Sequence, residues 1–249
     1  MKRSKDTLSR ILLPILFGLT LNAHACDELW SRSVSLVKRC ELMIPGEMVV
    51  EQHITDGKGE TQLESTTVIG VAEDKGSIHA ELIRFSENGQ DRTQKSKKEI
   101  EESVNKNISD FVWEMPYHVD DPDRFITGKQ EGTHEVNGVA CVGYDFEVCD
   151  KDFEKAEEPF RFIGTVWVDP ASAIPMQIES HLQDLPREED GAEIVSLAQY
   201  VDFSYSDGVW KREQEKQELC VNARFLFKSV VAVVHTNTHY SKHWKFSVN

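Results

Sequence analysis

Three histidines near the carboxyl end of the chain have a spacing that could support metal chemistry. His235, His239 and His243 recur at every fourth residue, and on a helix this spacing would place the imidazoles on one face, where they could share a zinc ion. On a β-strand the same spacing separates neighbours by about 13 Å, too far for one ion. The valine-rich stretch 230–234 before them favours a strand. We therefore expect no metal site here and no cofactor.

Residues that could carry acid–base or nucleophilic catalysis form no known motif. The adjacent carboxylates Asp120 and Asp121, and the acidic run 188–190, fall in polar segments that read as turns, where they would be solvated. The sequence contains no Gly-x-Ser-x-Gly, no His-Glu-x-x-His and no phosphate-binding glycine loop. We predict that the protein is not an enzyme. A hydrolase whose site is assembled from distant residues remains an alternative.

The amino terminus has the pattern of a secretory signal peptide. Basic residues precede the apolar run 11–21, and a small-x-small sequence ends at Ala25. The run is shorter than the roughly 20 apolar residues that span a bilayer. We predict a signal peptide over residues 1–25, cleavage near Ala25 and a periplasmic protein.

The cysteines leave a choice open at the predicted mature terminus. Their odd number in an exported protein implies a free thiol, an intermolecular bridge or a separate use for one of them. Cys26 would be the first mature residue, where bacterial lipoproteins carry their acyl groups, so either free Cys26 or lipidated Cys26 with a membrane anchor is consistent with the sequence. We expect Cys141 and Cys149 on one strand about 26 Å apart, too far to bridge. The full set is Cys26, Cys40, Cys141, Cys149 and Cys220.

The charge balance excludes some partners. The chain has a formal net charge of -15, which becomes -18 without residues 1–25, because that segment holds four basic residues and one acidic residue. An acidic surface of this size repels nucleic acid and anionic lipid headgroups. The remaining length is enough for a single domain over residues 26–249, which we expect to be a monomer.

Hydrophobic periodicity predicts a few helices attached to many strands. Residues 27–42 have apolar positions three and four apart, typical of an amphipathic helix. Residues 91–125 form a charged insertion, in which Ile100, Val104 and Ile108 give a solvated helix one narrow apolar stripe; a disordered lobe is the alternative. Its aromatic part, 111–125, reads as an ordered loop that either caps the core or lines a pocket. Elsewhere, alternating residues and short turns such as Asn88-Gly89 indicate antiparallel strands.

Three segments carry a resemblance to a known family. The strand-turn-strand segment 162–178, FIGTVWVDPASAIPMQI, resembles the hallmark of the LolA/RseB-like superfamily of exported bacterial proteins, the outer membrane lipoprotein-sorting group. Residues 131–146 and 200–210 resemble the strand before it and a later hairpin of that family, so that the likeness spans roughly 128–246. The resemblance implies a mainly β (α+β) fold: a strongly curved antiparallel sheet that forms an unclosed half-barrel, with helices covering its concave face.

The same resemblance implies an apolar cavity that holds acyl chains. A strongly bent sheet has a concave face too large for its own side chains to fill, so helices or a lipid must cover it. A dry core built from the same residues is the alternative. The candidate cavity lining is Val142, Tyr144, Phe146, Trp167, Met176, Ile178, Val201 and Phe203.

Together these observations predict a periplasmic carrier that shields the acyl chains of lipids or lipoproteins, in outer-membrane lipoprotein sorting or lipid transfer. An inner- or outer-membrane protein would be its partner. The alternative is a regulatory binding module of the RseB type that senses envelope stress through a membrane-bound signalling protein. A carrier should have a continuous apolar cavity and co-purify with lipid, whereas a regulator should have a filled core and an exposed patch.

Overall fold

A computed structural model describes residues 27–39, 41–74, 76–106, 126–150, 160–189, 192–206, 209–225 and 228–245. The predicted signal peptide, Cys26, Cys40, Ile108 and the aromatic loop 111–125 lie outside these described residues. Neither helix in the described part of the chain has the length and apolar character needed to cross a membrane.

The described chain is mainly β, as predicted. The amphipathic helix is α1 (Glu28–Arg39), and the charged helix is α2 (Thr93–Lys106). The first six strands are β1 (Glu41–Ile44), β2 (Glu47–Asp56), β3 (Thr61–Asp74), β4 (Ser77–Glu87), β5 (Gln90–Asp91) and β6 (Ile126–Lys129). The next five are β7 (His134–Val136), β8 (Val139–Asp150), β9 (Phe160–Val168), β10 (Pro175–Leu182) and β11 (Arg187–Glu189). The last four are β12 (Ala192–Ser206), β13 (Val209–Phe225), β14 (Lys228–Ser241) and β15 (Trp244–Lys245).

The strands form one open sheet. Its order is β5-β4-β3-β2-β14-β13-β12-β10-β9-β8-β6, and neighbours along this order are antiparallel, whereas β1 pairs with β13 in parallel. Most neighbours are joined by hairpins, but β2 pairs with β14, which places an early strand beside a late strand in the middle of the sheet. Within the described residues no pairing joins β4 or β5 to β6, so the sheet is an unclosed half-barrel and the predicted fold class is confirmed.

Both helices lie on the same face of this sheet. Side chains of directly paired residues point to the same face, and α1 packs on the face that holds Tyr144 and Val166. The pairing continues across the sheet to Thr238. Tyr240, two residues further along the same strand and on the same face, belongs to the core beneath α2. We call this side the helix face and the opposite side the outer face. The full line of pairs is Tyr144, Val166, Ile178, Val201, Glu215, Thr238 and Val50.

α1 begins at an aspartate cap and buries one apolar stripe. Asp27 accepts a hydrogen bond from the Leu29 backbone N–H at 2.9 Å, which satisfies one free donor of the first turn. Trp30, Val34 and Val37 follow at helical spacing and are buried against β8 and β9. The helix is therefore fixed both at its start and along one face.

α2 is attached through polar side chains to the free edge of β4. Asn105 accepts a hydrogen bond from the Ala80 N–H at 2.7 Å and donates one to the Ala80 carbonyl at 2.9 Å. Glu101 accepts the Leu82 N–H at 2.9 Å, and Thr93 accepts the Phe85 N–H at 2.9 Å. None of the residues of α2 is buried. The charged helix therefore covers backbone groups that an edge strand would otherwise expose.

Candidate functional site

The eight predicted lining residues divide between the two faces. Val142, Tyr144, Phe146, Ile178, Val201 and Phe203 lie on the helix face, as the register of β8, β9, β10 and β12 requires. Trp167 and Met176 lie on the outer side, which corrects the prediction of one inward-facing set. Trp167 alternates with the helix-face residues Val166 and Val168, and Met176 sits at a register shift between Pro175 and Gln177.

On the outer face, Trp167 belongs to a small separate core. It packs with Val136 and Cys141, and its ring lies 4.7 Å from that of His134. A Cβ at Gly143 would come within 2.7 Å of the indole, so this position has room only for glycine. Burial raises the pKa of Cys141 to about 11, which keeps its thiol protonated and unreactive.

Most of the helix-face residues in the predicted set fill space beneath α1 and beside it. Tyr144 is buried, its ring lies 5.3 Å from that of Trp30, and its hydroxyl donates to Asp27 at 3.0 Å. Burial and this hydrogen bond raise the Tyr144 pKa. Further along the face, Phe203 stacks on Trp210 at 4.0 Å. These contacts describe close packing, and the role of the set in ligand binding stays a prediction.

A second apolar surface lies on the same face, in the middle of the sheet. Register places one aliphatic residue from each of five adjacent strands in direct cross-strand pairing. We call this set the aliphatic row; its members are Leu197, Leu219, Val234, Ile54 and Leu63.

The aliphatic row is continuous and only half-buried. Strands about 4.8 Å apart make it about 19 Å long from the first strand to the fifth. All five residues keep intermediate exposure, and none belongs to the clusters that α1 and α2 join in the described part of the chain. Among the described residues, the row is thus a partly exposed apolar strip that lies across the strands.

Polar side chains border the aliphatic row on one side. The neighbouring row on this face is offset by two residues along each strand. Its members are Gln199, Gln217, Thr236, Gln52 and Ser65. Beyond it, Glu215 accepts hydrogen bonds from Gln199 at 2.6 Å and from the Tyr240 hydroxyl at 2.8 Å. Arg212 lies 3.5 Å from the same carboxylate. The helix face therefore changes from aliphatic to polar within a few residues, as a surface for an amphiphile would.

Strand alternation alone did not identify the aliphatic row. Each member occupies an apolar position of a predicted strand, but alternation does not say which residues of different strands lie side by side. The short β2–β3 hairpin brings Ile54 opposite Leu63 and could have been aligned from its turn. The link from Ile54 to Val234 depends on the pairing of β2 with β14, which are far apart in the chain.

In β2 and β14 the outer face carries the histidines His53, His235 and His239. His235 and His239 lie in β14, so the strand prediction for this segment is confirmed. In the described part of the chain, no three His, Cys, Asp or Glu side chains are grouped to hold a metal. A groove of about 580 Å³ crosses this face between β3 and β12, next to His53 and His235.

Comparisons with known proteins do not identify a family. No family model matches the chain, and no curated protein matches it. Similar solved structures include a DUF1329 family protein from Desulfovibrio piger, 12% identical with a TM-score of 0.31, covering 86% of this chain and 92% of that one. LprF from Mycobacterium bovis is 9% identical with a TM-score of 0.24, covering 89% and 93%. The S-type phycobiliprotein lyase CPES from Guillardia theta is 9% identical with a TM-score of 0.28, covering 87% and 92%. Likenesses this distant carry no argument about function.

Proposed function

We propose that this protein is an exported, non-enzymatic carrier that binds the acyl chains of lipids or lipoproteins on the helix face of its open sheet. The observation that supports this most is the aliphatic row, a half-buried apolar strip about 19 Å long. The signal-peptide pattern supports a place in the periplasm, with lipidation of Cys26 as a second way to keep the same surface near a membrane. Outer-membrane lipoprotein sorting or lipid transfer would be the process served.

The shape and chemistry of the row suit an acyl chain. Removing a methylene from water contributes about 0.8 kcal/mol, so six methylenes laid along the row would contribute about 5 kcal/mol before the entropy cost of binding. A chain that lies across the strands would contact every member in turn. The polar row beside it could hydrogen-bond the ester or amide linkage of the same ligand.

Titration with a fluorescent fatty acid tests the assignment. Val234→Asn places an amide in the centre of the aliphatic row, and we expect it to weaken binding about fivefold, because polar side chains there lose apolar contact and must be desolvated. Leu219→Asn should have a similar effect. Both residues are half-buried, so we expect both variants to remain folded.

Val231→Asn is the matched control. Val231 lies on the same strand but on the outer face, and it is 39% exposed. We expect this variant to bind the probe as the wild type does. Equal affinities for the Val234 and Val231 variants would contradict binding on the aliphatic row.

A further inference from the structure

Two histidines distant in the sequence meet on the outer face. His53 in β2 and His235 in β14 are direct cross-strand partners, so their Cβ atoms lie about 5 Å apart on one face. Each has a glutamate as its partner on the other side, Glu64 for His53 and Glu218 for His235. The four side chains form one line across β3, β2, β14 and β13, which we call the Glu-His-His-Glu row.

The carboxylates face the same nitrogen of each ring. Nδ1 of His53 lies 3.3 Å from a carboxylate oxygen of Glu64, and Nδ1 of His235 lies 3.4 Å from one of Glu218. A carboxylate only accepts hydrogen bonds, so it favours the tautomer with the proton on Nδ1 and a lone pair on Nε2. At His53 the Thr61 hydroxyl lies 3.3 Å from Nε2 and can donate to that lone pair, so an ion that binds there must replace this hydrogen bond.

This arrangement is the one that metal-binding histidines commonly show. Such histidines donate their second ring nitrogen to a carboxylate, which fixes the ring and strengthens the ligand. The side chains of His53 and His235 are 41% and 48% exposed, and the adjacent groove gives an ion access from solvent. Imidazoles carried by Cβ atoms about 5 Å apart can turn toward each other and share one ion at about 2.0 to 2.1 Å from each nitrogen.

We propose that His53 and His235 bind one divalent late-transition-metal ion through their Nε2 atoms, with Glu64 and Glu218 holding the two rings. Imidazole ligands favour ions such as Ni²⁺, Cu²⁺ and Zn²⁺ over Mg²⁺ and Ca²⁺. Water fills the remaining coordination positions. Because His53 and His235 lie on β2 and β14, the ion also links two strands that are far apart in the sequence, and it should raise the melting temperature of the folded protein.

Calorimetric titration of the untagged full chain with Ni²⁺ tests the proposal. We expect one ion per chain in the wild type, and at least a tenfold loss of affinity in His53→Ala and in His235→Ala. Glu218→Gln should weaken binding by about tenfold or more without removing a ligand. His239→Ala is the matched control, because His239 lies on the same strand and face but is paired with Val49.

A second readout separates metal binding from damage to the fold. Ni²⁺ should raise the melting temperature of the wild type and of His239→Ala, but not that of His53→Ala. The absence of saturable Ni²⁺ binding to the wild type would overturn the proposal. Unchanged affinity in His53→Ala, or an equal loss in His239→Ala, would overturn it as well.

Discussion

Asp27 connects the start of α1 to the sheet, and its removal should destabilise the protein more than a helix cap alone explains. Its carboxylate accepts hydrogen bonds from the Leu29 N–H at 2.9 Å and from the Tyr144 hydroxyl at 3.0 Å. It also forms an ion pair with Lys129. Losing a cap costs about 1 kcal/mol, leaving a buried hydroxyl unpaired costs about 1 to 3 kcal/mol, and a partly exposed ion pair contributes about 0.5 kcal/mol. We therefore expect Asp27→Ala to lower the free energy of unfolding by about 3 kcal/mol.

Asp27→Asn separates these contributions. Asparagine can still cap the helix and accept a hydrogen bond from the Tyr144 hydroxyl, but it carries no charge. We therefore expect the free energy of unfolding to fall by about 1 kcal/mol. Burial raises the Asp27 pKa, but the hydrogen bonds from Lys129, Leu29 and Tyr144 outweigh this and lower it from 3.8. A lowered pKa contributes stability above the unfolded value, and this stability is lost as the pH falls through the folded value. The difference between wild type and Asp27→Asn should therefore shrink below about pH 3.8.

Urea unfolding followed by circular dichroism measures both variants at neutral and acidic pH. Lys129→Met is the control that removes the ion pair alone, and it should lower the free energy of unfolding by no more than about 1 kcal/mol. An Asp27→Ala variant that loses less than about 1 kcal/mol would refute the reasoning, because the cap alone accounts for that much. Equal losses in the alanine and asparagine variants would also refute it.

Three further predictions follow from other contacts. Asn105→Ala should lower the free energy of unfolding in urea by about 1 to 3 kcal/mol. It should also increase self-association in analytical ultracentrifugation, because it uncovers the β4 edge at Ala80. A monomer of unchanged stability would contradict this prediction. Gly164→Ala should lower the melting temperature strongly, since a Cβ there would lie 2.0 Å from the Glu179 carbonyl oxygen, whereas the control Gly128→Ala meets nothing closer than 3.8 Å. Burial lowers the pKa of His243 despite its hydrogen bond to the Arg212 carbonyl. As the pH falls, the His243 imidazole is therefore protonated in the unfolded chain before it is protonated in the folded protein, and the stability should decrease below about pH 6.5. His243→Gln should flatten that part of the stability–pH curve, and an unchanged slope would count against the assignment.

Local sequence patterns predicted most of the individual elements, because each pattern reports a contact within a few residues. The acidic run 188–190 is an exception: it was predicted as a turn, but Glu188 and Glu189 lie in β11 and pair with β12. The apolar spacing of Trp30, Val34 and Val37 indicated α1, and the alternation in β8 and β9 indicated strands. The charged segment was correctly predicted as a solvated helix. Its hydrogen bonds to β4 were not predicted, because polar side chains that bind backbone leave no periodic signal.

The arrangement across strands could not be predicted in the same way. Met176 falls in the apolar alternation between Ile174 and Ile178, so the sequence predicts all three on one face. The β-bulge that turns Met176 to the outer face cannot be recognised from the residue types. The aliphatic row depends on the pairing of β2 with β14, and so does the pair of His53 with His235. Both surfaces join residues that a single sequence does not link.

Under the proposed function, the protein carries acyl chains on its helix face. The most direct test is mass spectrometry of lipids extracted from the full chain after its expression with the native amino terminus and purification from the cell envelope. We predict acyl lipid in the wild-type preparation, and much less in a Leu219→Asn, Val234→Asn double variant than in Val231→Asn. A lipid-free wild-type protein that also fails to take up an acyl probe would contradict the account.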